Sequence, residues 1–483
     1  MEQGKNNLTE FLKGSGILVL SNVCLKAINF FLLPLYTKYL SPDQLGISDS
    51  ITNLTSFILP LFTLGLDSAF SAFYFEKNEE DRGKRVFSTL TVTFFFMGII
   101  ALFLAVFSGG ISNILFHTGG YSHLVVMAFG CVTVNLWYLP FSLELRMKNR
   151  MFFFGLANVL ASLSMILLNI LFVAVFRMGE ESLVISSLLS NFFQLILLIL
   201  FVKRAPRKEE TDTALLGKMV RYGLPLVPMS VLNWILALSD RYVLLHFHGE
   251  GTVGVYGIAM RFVTVLNVVI SAISMAYTTF AFQVKDSDRA KRQYYYVFQV
   301  ESFLLLGMCF TVTLFGPEVI RLMSSDEAYY SASEPLRDLL FAQAVFAMSG
   351  VIGYGINFAK KSGYYLLAVS AGAAVNLGMN LIFIPKFGME AAAAATLLGY
   401  IIVFVLVSFF SKRLYPCHYG ILRSGIVTAA LYLICFFTGE LDPVYRFIIW
   451  AATASAAIFV YRDILGKLLH FLRSQVFHRG QGV

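Results

Sequence analysis

The stretch NLIFIPKFGMEAAAAATLLGY, residues 380–400, decides how this chain is read. Asn380 opens an apolar run, Ile384-Pro385-Lys386-Phe387-Gly388 interrupts it, and an alanine-rich helix restarts at once. Proline cannot donate to a helical ladder, and glycine takes backbone angles that other residues resist. The five residues therefore read as a corner between two helices. Each helix is about as long as a ~30 Å hydrocarbon layer requires.

The rest of the chain has the same character. Of 483 residues, 57% are hydrophobic, 47 are Phe and only 14% are charged, and the mean hydropathy is +0.72. A soluble domain carries about a quarter charged residues. Apolar runs of roughly 20 residues recur throughout, whereas a membrane barrel would show alternating segments of about 10. The fold class read from this is all-α, a polytopic membrane protein with about fourteen spans. They fall near 14–36, 44–74, 86–107, 123–146, 152–176, 183–203, 218–245, 253–283, 294–316, 336–358, 363–385, 389–411, 419–438 and 444–466.

The start of the chain is polar, and its first apolar run carries Lys26 with no small-residue cleavage site behind it, so no cleavable signal is expected. The five cysteines are scattered and form no CxxC pair, which argues for inert thiols. His246 and His248 form an H-x-H in a short loop, too little for a metal site and better read as solvated side chains. No GxxxxGK[ST] loop and no nucleophile–base constellation is present. Neither a cofactor nor a metal nor an enzymatic activity is expected.

Positive charge orients the spans. Alternate loops, with both termini, hold 28 Lys and Arg residues, while the other set holds six: Lys38, Arg177, Arg321, Arg337, Lys386 and Arg446. The rich set is expected to be cytoplasmic. The net charge of +8 is then an inner-leaflet bias facing membrane lipid and calls for no nucleic acid.

The corner at 385 has an earlier counterpart. LLNILFVAVFRMGEESLVISSLLSN (167–191) resembles GMNLIFIPKFGMEAAAAATLLGY (378–400), with Asn169 matching Asn380 and Arg177-Met178-Gly179 in the place of Lys386-Phe387-Gly388. YLSPDQLGISDS (39–50) likewise pairs with HFHGEGTVGVYG (246–257), which aligns Gly46 with Gly254. Two six-helix lobes in the same sense are expected, 1–203 and 218–411. A polar cytoplasmic linker at 204–217 (RAPRKEETDTALLG) would join them, and two extra helices and a cytoplasmic tail would fill 412–483. Parallel repeats are a transporter feature, with substrate bound between halves that rock to alternate access.

These same stretches resemble the oligosaccharide flippase family, the Wzx-type polysaccharide exporters, of the multidrug/oligosaccharidyl-lipid/polysaccharide superfamily. The resemblance rests on Tyr39-Leu40-Ser41-Pro42-Asp43-Gln44-Leu45-Gly46, Tyr222-Gly223-Leu224-Pro225, Asp240-Arg241, Val253-Gly254-Val255-Tyr256, and the run from Asn380 through Ile384–Gly388 to Ala391 and Thr396. It covers nearly the whole chain. It implies a two-lobed fold in a bacterial inner membrane and the movement of a polyprenyl-diphosphate-linked oligosaccharide to the outer leaflet. Polysaccharide polymerase machinery would be a further partner.

Ionisable groups at membrane depth are functional candidates because their burial is costly. Span one places Asn22, Lys26 and Asn29 on one face, span seven places Asn233 and Arg241 on another beside Asp240, and span eight opens with Arg261. A diphosphate carries about two negative charges, which cations in a low-dielectric cavity attract strongly. Lys26, Arg241 and Arg261, with Asn22, Asn29 and Asn233, are therefore the candidate substrate-binding residues. Lipid II flippases of the same superfamily also place basic residues in their first and eighth helices, which the positions of Lys26 and Arg261 resemble. Asp67, Asp240 and Glu301 are candidates for ion coupling or for pairing with those cations. A multidrug or cation antiporter is the alternative, disfavoured by the intramembrane cations. An envelope-assembly enzyme or scaffold is a third reading, disfavoured by short external loops.

Overall fold

The structure, a computed structural model, describes residues 30–75, 81–284, 290–439 and 441–467. Lys26, Asn22 and Asn29 lie outside the described residues. Among those described, every regular element is helical. In chain order the helices are α1 (Leu33–Tyr39), α2 (Pro42–Thr63), α3 (Leu66–Tyr74), α4 (Arg82–Leu104), α5 (Ser108–Phe116), α6 (Ser122–Met147), α7 (Met151–Asn169) and α8 (Glu181–Val202). Then come α9 (Thr213–Gly223), α10 (Val227–Val284), α11 (Ala290–Met323), α12 (Leu336–Phe358), α13 (Gly363–Leu414), α14 (Ile421–Thr438) and α15 (Pro443–Val460).

Ten of these helical runs are long and apolar enough to cross a membrane, or eleven when the bent pair α2–α3 counts as one span. The expected fourteen are not matched one for one. Spans seven and eight run together in α10, spans eleven and twelve run together in α13, and most of span one lies outside the described residues. Each long run is broken by a glycine outside helical geometry, Gly249 (φ 81°) in α10 and Gly388 (φ 57°) in α13. The arms of α13 fold back on each other: Asn376 donates to Thr396 Oγ1 at 3.3 Å, and the rings of Tyr364 and Phe410 lie 4.9 Å apart. Thus the IPKFG stretch is a helical corner, as its proline and glycine require. The matched corner behaves alike, with Gly179 at φ 63°. The two matched asparagines, Asn169 and Asn380, are both fully buried.

Local chemistry explains the other motifs. Ser41 and Gln44 form a capping box at the start of α2: the Ser41 hydroxyl accepts from the Gln44 N–H, and the Gln44 amide oxygen accepts from the Ser41 N–H. With Pro42 at the first helical position, the sequence SPDQ is a helix start. Leu64 and Gly65, both left-handed, end α2 and bend the chain by 46° into α3. Gly223 fits against that bend, where a Cβ would lie 2.5 Å from the Leu64 carbonyl oxygen. A side chain there would collide with backbone, which accounts for the glycine in Tyr222-Gly223-Leu224-Pro225.

The chain divides into two compact units. The first comprises the described residues of Met1–Ile258 with Met323–Tyr329 and Leu377–Ala392; the second comprises Ala259–Leu322, Tyr330–Asn376 and the described part of Ala393–Val483. In the first unit the 204–217 segment lies pinned to α4. Glu210 accepts from the buried Ser88 hydroxyl and from Arg204, each at 2.7 Å, and the Asp212 N–H donates to Thr89 Oγ1 at 3.0 Å. Asp212 then caps α9 by accepting from the Leu215 N–H. In the second unit α15 is tied to α11. Arg446 donates to the Leu314 carbonyl at 2.8 Å and pairs with Glu318 at 2.6 Å, while Trp450 donates to Thr311 at 2.9 Å.

Candidate functional site

The site grows from two antiparallel helices of the first unit. α2 runs beside the first arm of α10, and the contacts step along both in opposite directions. The Tyr242 hydroxyl donates to the Ser50 carbonyl at 2.9 Å, and Trp234 Nε1 donates to the Asn53 carbonyl at 3.4 Å. The Trp234 ring is wedged between Phe57 and Tyr242, with centroids 4.5 Å and 5.4 Å away. These aromatic contacts fix the register that puts Asn53 opposite Arg241.

Arg241 Nη1 donates to Asn53 Oδ1 at 2.8 Å. The position is deep: eight residues separate Arg241 from the Gly249 break, about 12 Å along the axis. Asp240 has a different task from its neighbour. Its Oδ2 accepts from the Tyr256 hydroxyl at 2.6 Å, joining the two arms of α10 beneath their corner. Its Oδ1 accepts from the Arg241 N–H. Thus Asp240 faces inward across its own hairpin while Arg241 reaches across to α2.

Donors are left over. Arg241 Nε and Asn53 Nδ2 are buried without a hydrogen-bond partner, and so is the Ser50 hydroxyl. A buried donor without an acceptor costs about 1–3 kcal/mol, more when it is charged. The geometry explains the surplus: Asn53 spends its oxygen on the guanidinium, which leaves only its N–H₂ to offer. A cation with unused N–H groups beside an amide that can only donate suits an oxyanion.

The remaining candidates are placed as follows. Asn233, half-buried, precedes Trp234 and shares the Arg241 face of α10 at a spacing of two turns. Asp67 lies in the first turn of α3, just past the Gly65 bend. Arg261 stands on the second arm of α10 and belongs to the second unit, half-buried, its carbonyl accepting from the Thr264 hydroxyl at 2.6 Å. Glu301 is also in the second unit, on α11, 3% exposed with Oε2 unpartnered. Among the described residues no group of three or more His, Cys, Asp or Glu could hold a metal ion. His248 is more than a solvated loop side chain, because its Nε2 donates to the Ile384 carbonyl at 2.7 Å, beside the Gly388 corner. Sequence reasoning missed Ser50, Asn53, Trp234 and Tyr242, and it named Tyr256 within a motif without giving it a role. The i, i+3 pair Ser50 and Asn53 inside an apolar span carried a signal of the same kind as the stripe in span seven.

With this geometry established, the relatives can be placed. The chain belongs to the polysaccharide biosynthesis protein family, whose sequence profile matches residues 36–331. An uncharacterized membrane protein of Methanocaldococcus jannaschii is 23% identical over 434 residues, 83% of this chain and 84% of that one. Among solved structures, the inward closed conformation of the lipid II flippase MurJ matches with a TM-score of 0.75 at 16% identity, covering 93% of this chain and all of that one. An inward-facing multidrug resistance MATE family transporter of the MOP superfamily matches with a TM-score of 0.60 at 17% identity, covering 82% of this chain and 97% of that one. At such identities the likeness establishes the fold. This chain is a multi-pass, all-helical membrane protein of the fold shared by these transporters.

Proposed function

We propose that this chain is a flippase that moves a polyprenyl-diphosphate-linked oligosaccharide from the inner to the outer leaflet of a bacterial inner membrane by alternating access, supplying polysaccharide biosynthesis. The observation that carries this reading is the unpartnered Nε of Arg241 beside the unpartnered amide nitrogen of Asn53, deep in the span. An anionic head group supplies the oxygens these donors lack, and a sugar chain adds further acceptors. Lipid II flipping by one structural neighbour and the family's place in polysaccharide biosynthesis point the same way.

In this reading Arg241, Arg261 and Lys26 capture the diphosphate, with Asn22, Asn29 and Asn233 on the same faces. Asp67, Asp240 and Glu301 are the candidates for ion coupling, and Asp240 also braces the α10 hairpin. The working halves are 1–203 and 218–411, both termini are cytoplasmic, and the polymerase machinery takes the product. The test is chemical. Cells lacking this protein should accumulate a diphosphate-linked glycan in the inner leaflet, and mass spectrometry of their lipid extract would identify it. Unchanged lipid-linked glycans together with altered sensitivity to organic cations would instead support an antiporter.

A further inference from the structure

The first unit holds a small cavity of about 190 Å³ where α2, α6 and α8 meet. Six polar side chains line it: Thr52, Thr55 and Ser56 from α2, Asn135 from α6, and Ser187 and Asn191 from α8. Spacings of three and four residues within α2, and of four within α8, put each set on one helix face. No lining side chain is charged. Thr52 and Ser56 are exposed, although α2 begins at Pro42 and the two therefore sit about 15 and 21 Å along its axis. Polar groups exposed at such depth in a span mark a substrate path.

The occupant's chemistry follows from what these groups still offer. The hydroxyls of Thr52, Thr55 and Ser56 donate to the carbonyls of Ser48, Ile51 and Thr52 on their own helix, at 2.9, 3.3 and 3.3 Å, which leaves their lone pairs as acceptors. Asn135 spends one N–H on the Cys131 carbonyl at 2.6 Å and keeps the other. The Asn191 carboxamide makes no hydrogen bond among the described residues, so it offers both donors and an acceptor. A sugar hydroxyl both donates and accepts, and Ile51, Leu59 and Val184 give the C–H face of a ring apolar surface. An anion would meet no cation in this lining, and a cation no carboxylate. The volume falls below the roughly 300–1,000 Å³ of pockets that take a whole small molecule, which suits one ring of a longer molecule. Asn53, bonded to Arg241, follows Thr52 on a neighbouring face of the same helix, and a helix is only about 10–12 Å across. A glycan attached to a head group at Arg241 can span that distance.

We propose, resting on the flippase reading, that this cavity holds one uncharged sugar ring of the glycan whose diphosphate is bound at Arg241 and Asn53. The chain then selects neutral over acidic sugars close to the lipid. Purified full-length protein in detergent would be titrated with four probes: a polyprenyl diphosphate, and the same lipid bearing one glucose, galactose or glucuronic acid residue. Glucose or galactose should tighten binding by at least about tenfold over the bare lipid, the yield of a few hydrogen bonds. Glucuronic acid should gain nothing, because its carboxylate would be buried without a partner. Asn191→Ala and the isosteric Thr52→Val should each weaken the neutral glycosides by about threefold or more. Both should leave the bare lipid and the melting temperature unchanged, and if one fails to fold the other carries the comparison. No gain from either neutral sugar, glucuronic acid bound as tightly as they are, or a full gain in the folded variants would overturn the proposal and leave the flippase reading standing. Failure of all four lipids to bind would overturn both.

Discussion

Gly46 of α2 and Gly254 of α10 are packed backbone to backbone. A Cβ on Gly46 would lie 1.8 Å from the Glu250 carbonyl oxygen, and one on Gly254 would lie 2.0 Å from that of Pro42. The two corners that match each other in sequence are therefore pressed together in the first unit. Glycine is needed at both because helices approach this closely only without side chains, which is how small residues serve membrane packing.

Gly46→Ala and Gly254→Ala should each force the helices apart, because the obstacles are backbone atoms that cannot swing away. The expected outcome is a melting temperature lower by several degrees and reduced membrane abundance, a cost on the order of 2 kcal/mol or more. Gly350→Ala is the control, since nothing lies within 4 Å of its Cβ position inside α12. It should leave stability unchanged or raise it by up to about 1 kcal/mol, the helix-propensity difference. Thermal scans of the three purified variants check this.

The pinned segment should respond to acid. The Ser88 hydroxyl, and then the Arg204 guanidinium, hold the Glu210 carboxyl below its ordinary 4.5. Because the folded value is depressed, this contact contributes stability above the unfolded value and loses it as pH falls through the folded one. Ser88→Ala should therefore lower the melting temperature at neutral pH, and the difference from wild type should shrink below about pH 4. A difference that stays constant with pH would show that Ser88 acts by packing alone.

Orientation is testable by labelling. Cysteines introduced at Ser122 and Ser331 should react with an impermeant thiol reagent applied from outside, and a cysteine at Thr211 should react only after the membrane is permeabilised. The bias of 28 cations against six sets this expectation. Thr211 labelled from outside would invert the whole topology.

Much of the fold was legible because membrane spans declare themselves by length and apolarity, and the corner at 384–388 by Pro385 and Gly388. The stretches around Gly46 and Gly254 match in sequence, yet nothing in a linear pattern says that the two touch. The site was half legible. Arg241 stood out as an ionisable residue in a span, but its partner Asn53 lies far away in sequence, and only the register of α2 against α10 joins them. Asp240 and Arg241 read as an adjacent pair that could neutralise itself; the helix instead gives Asp240 to Tyr256 and Arg241 to Asn53. Arg446, counted in sequence among loop cations, is buried against Leu314 and Glu318 because α15 docks on α11, a tertiary event without a local signature.

The central claim is that Arg241 and Asn53 hold an anionic head group and are more than a brace between helices. The direct measurement is surface glycan per folded membrane protein in Arg241→Ala, Arg241→Lys and Asn53→Ala, with Lys26→Ala and Arg261→Ala beside them. Export per folded molecule should fall by about tenfold or more in Arg241→Ala, the loss expected for one charge-assisted contact, with melting temperature close to wild type. Arg241→Lys should keep part of it, because charge survives while the planar fork is lost. Normal export per folded molecule in Arg241→Ala, with loss of abundance and stability alone, would contradict the account.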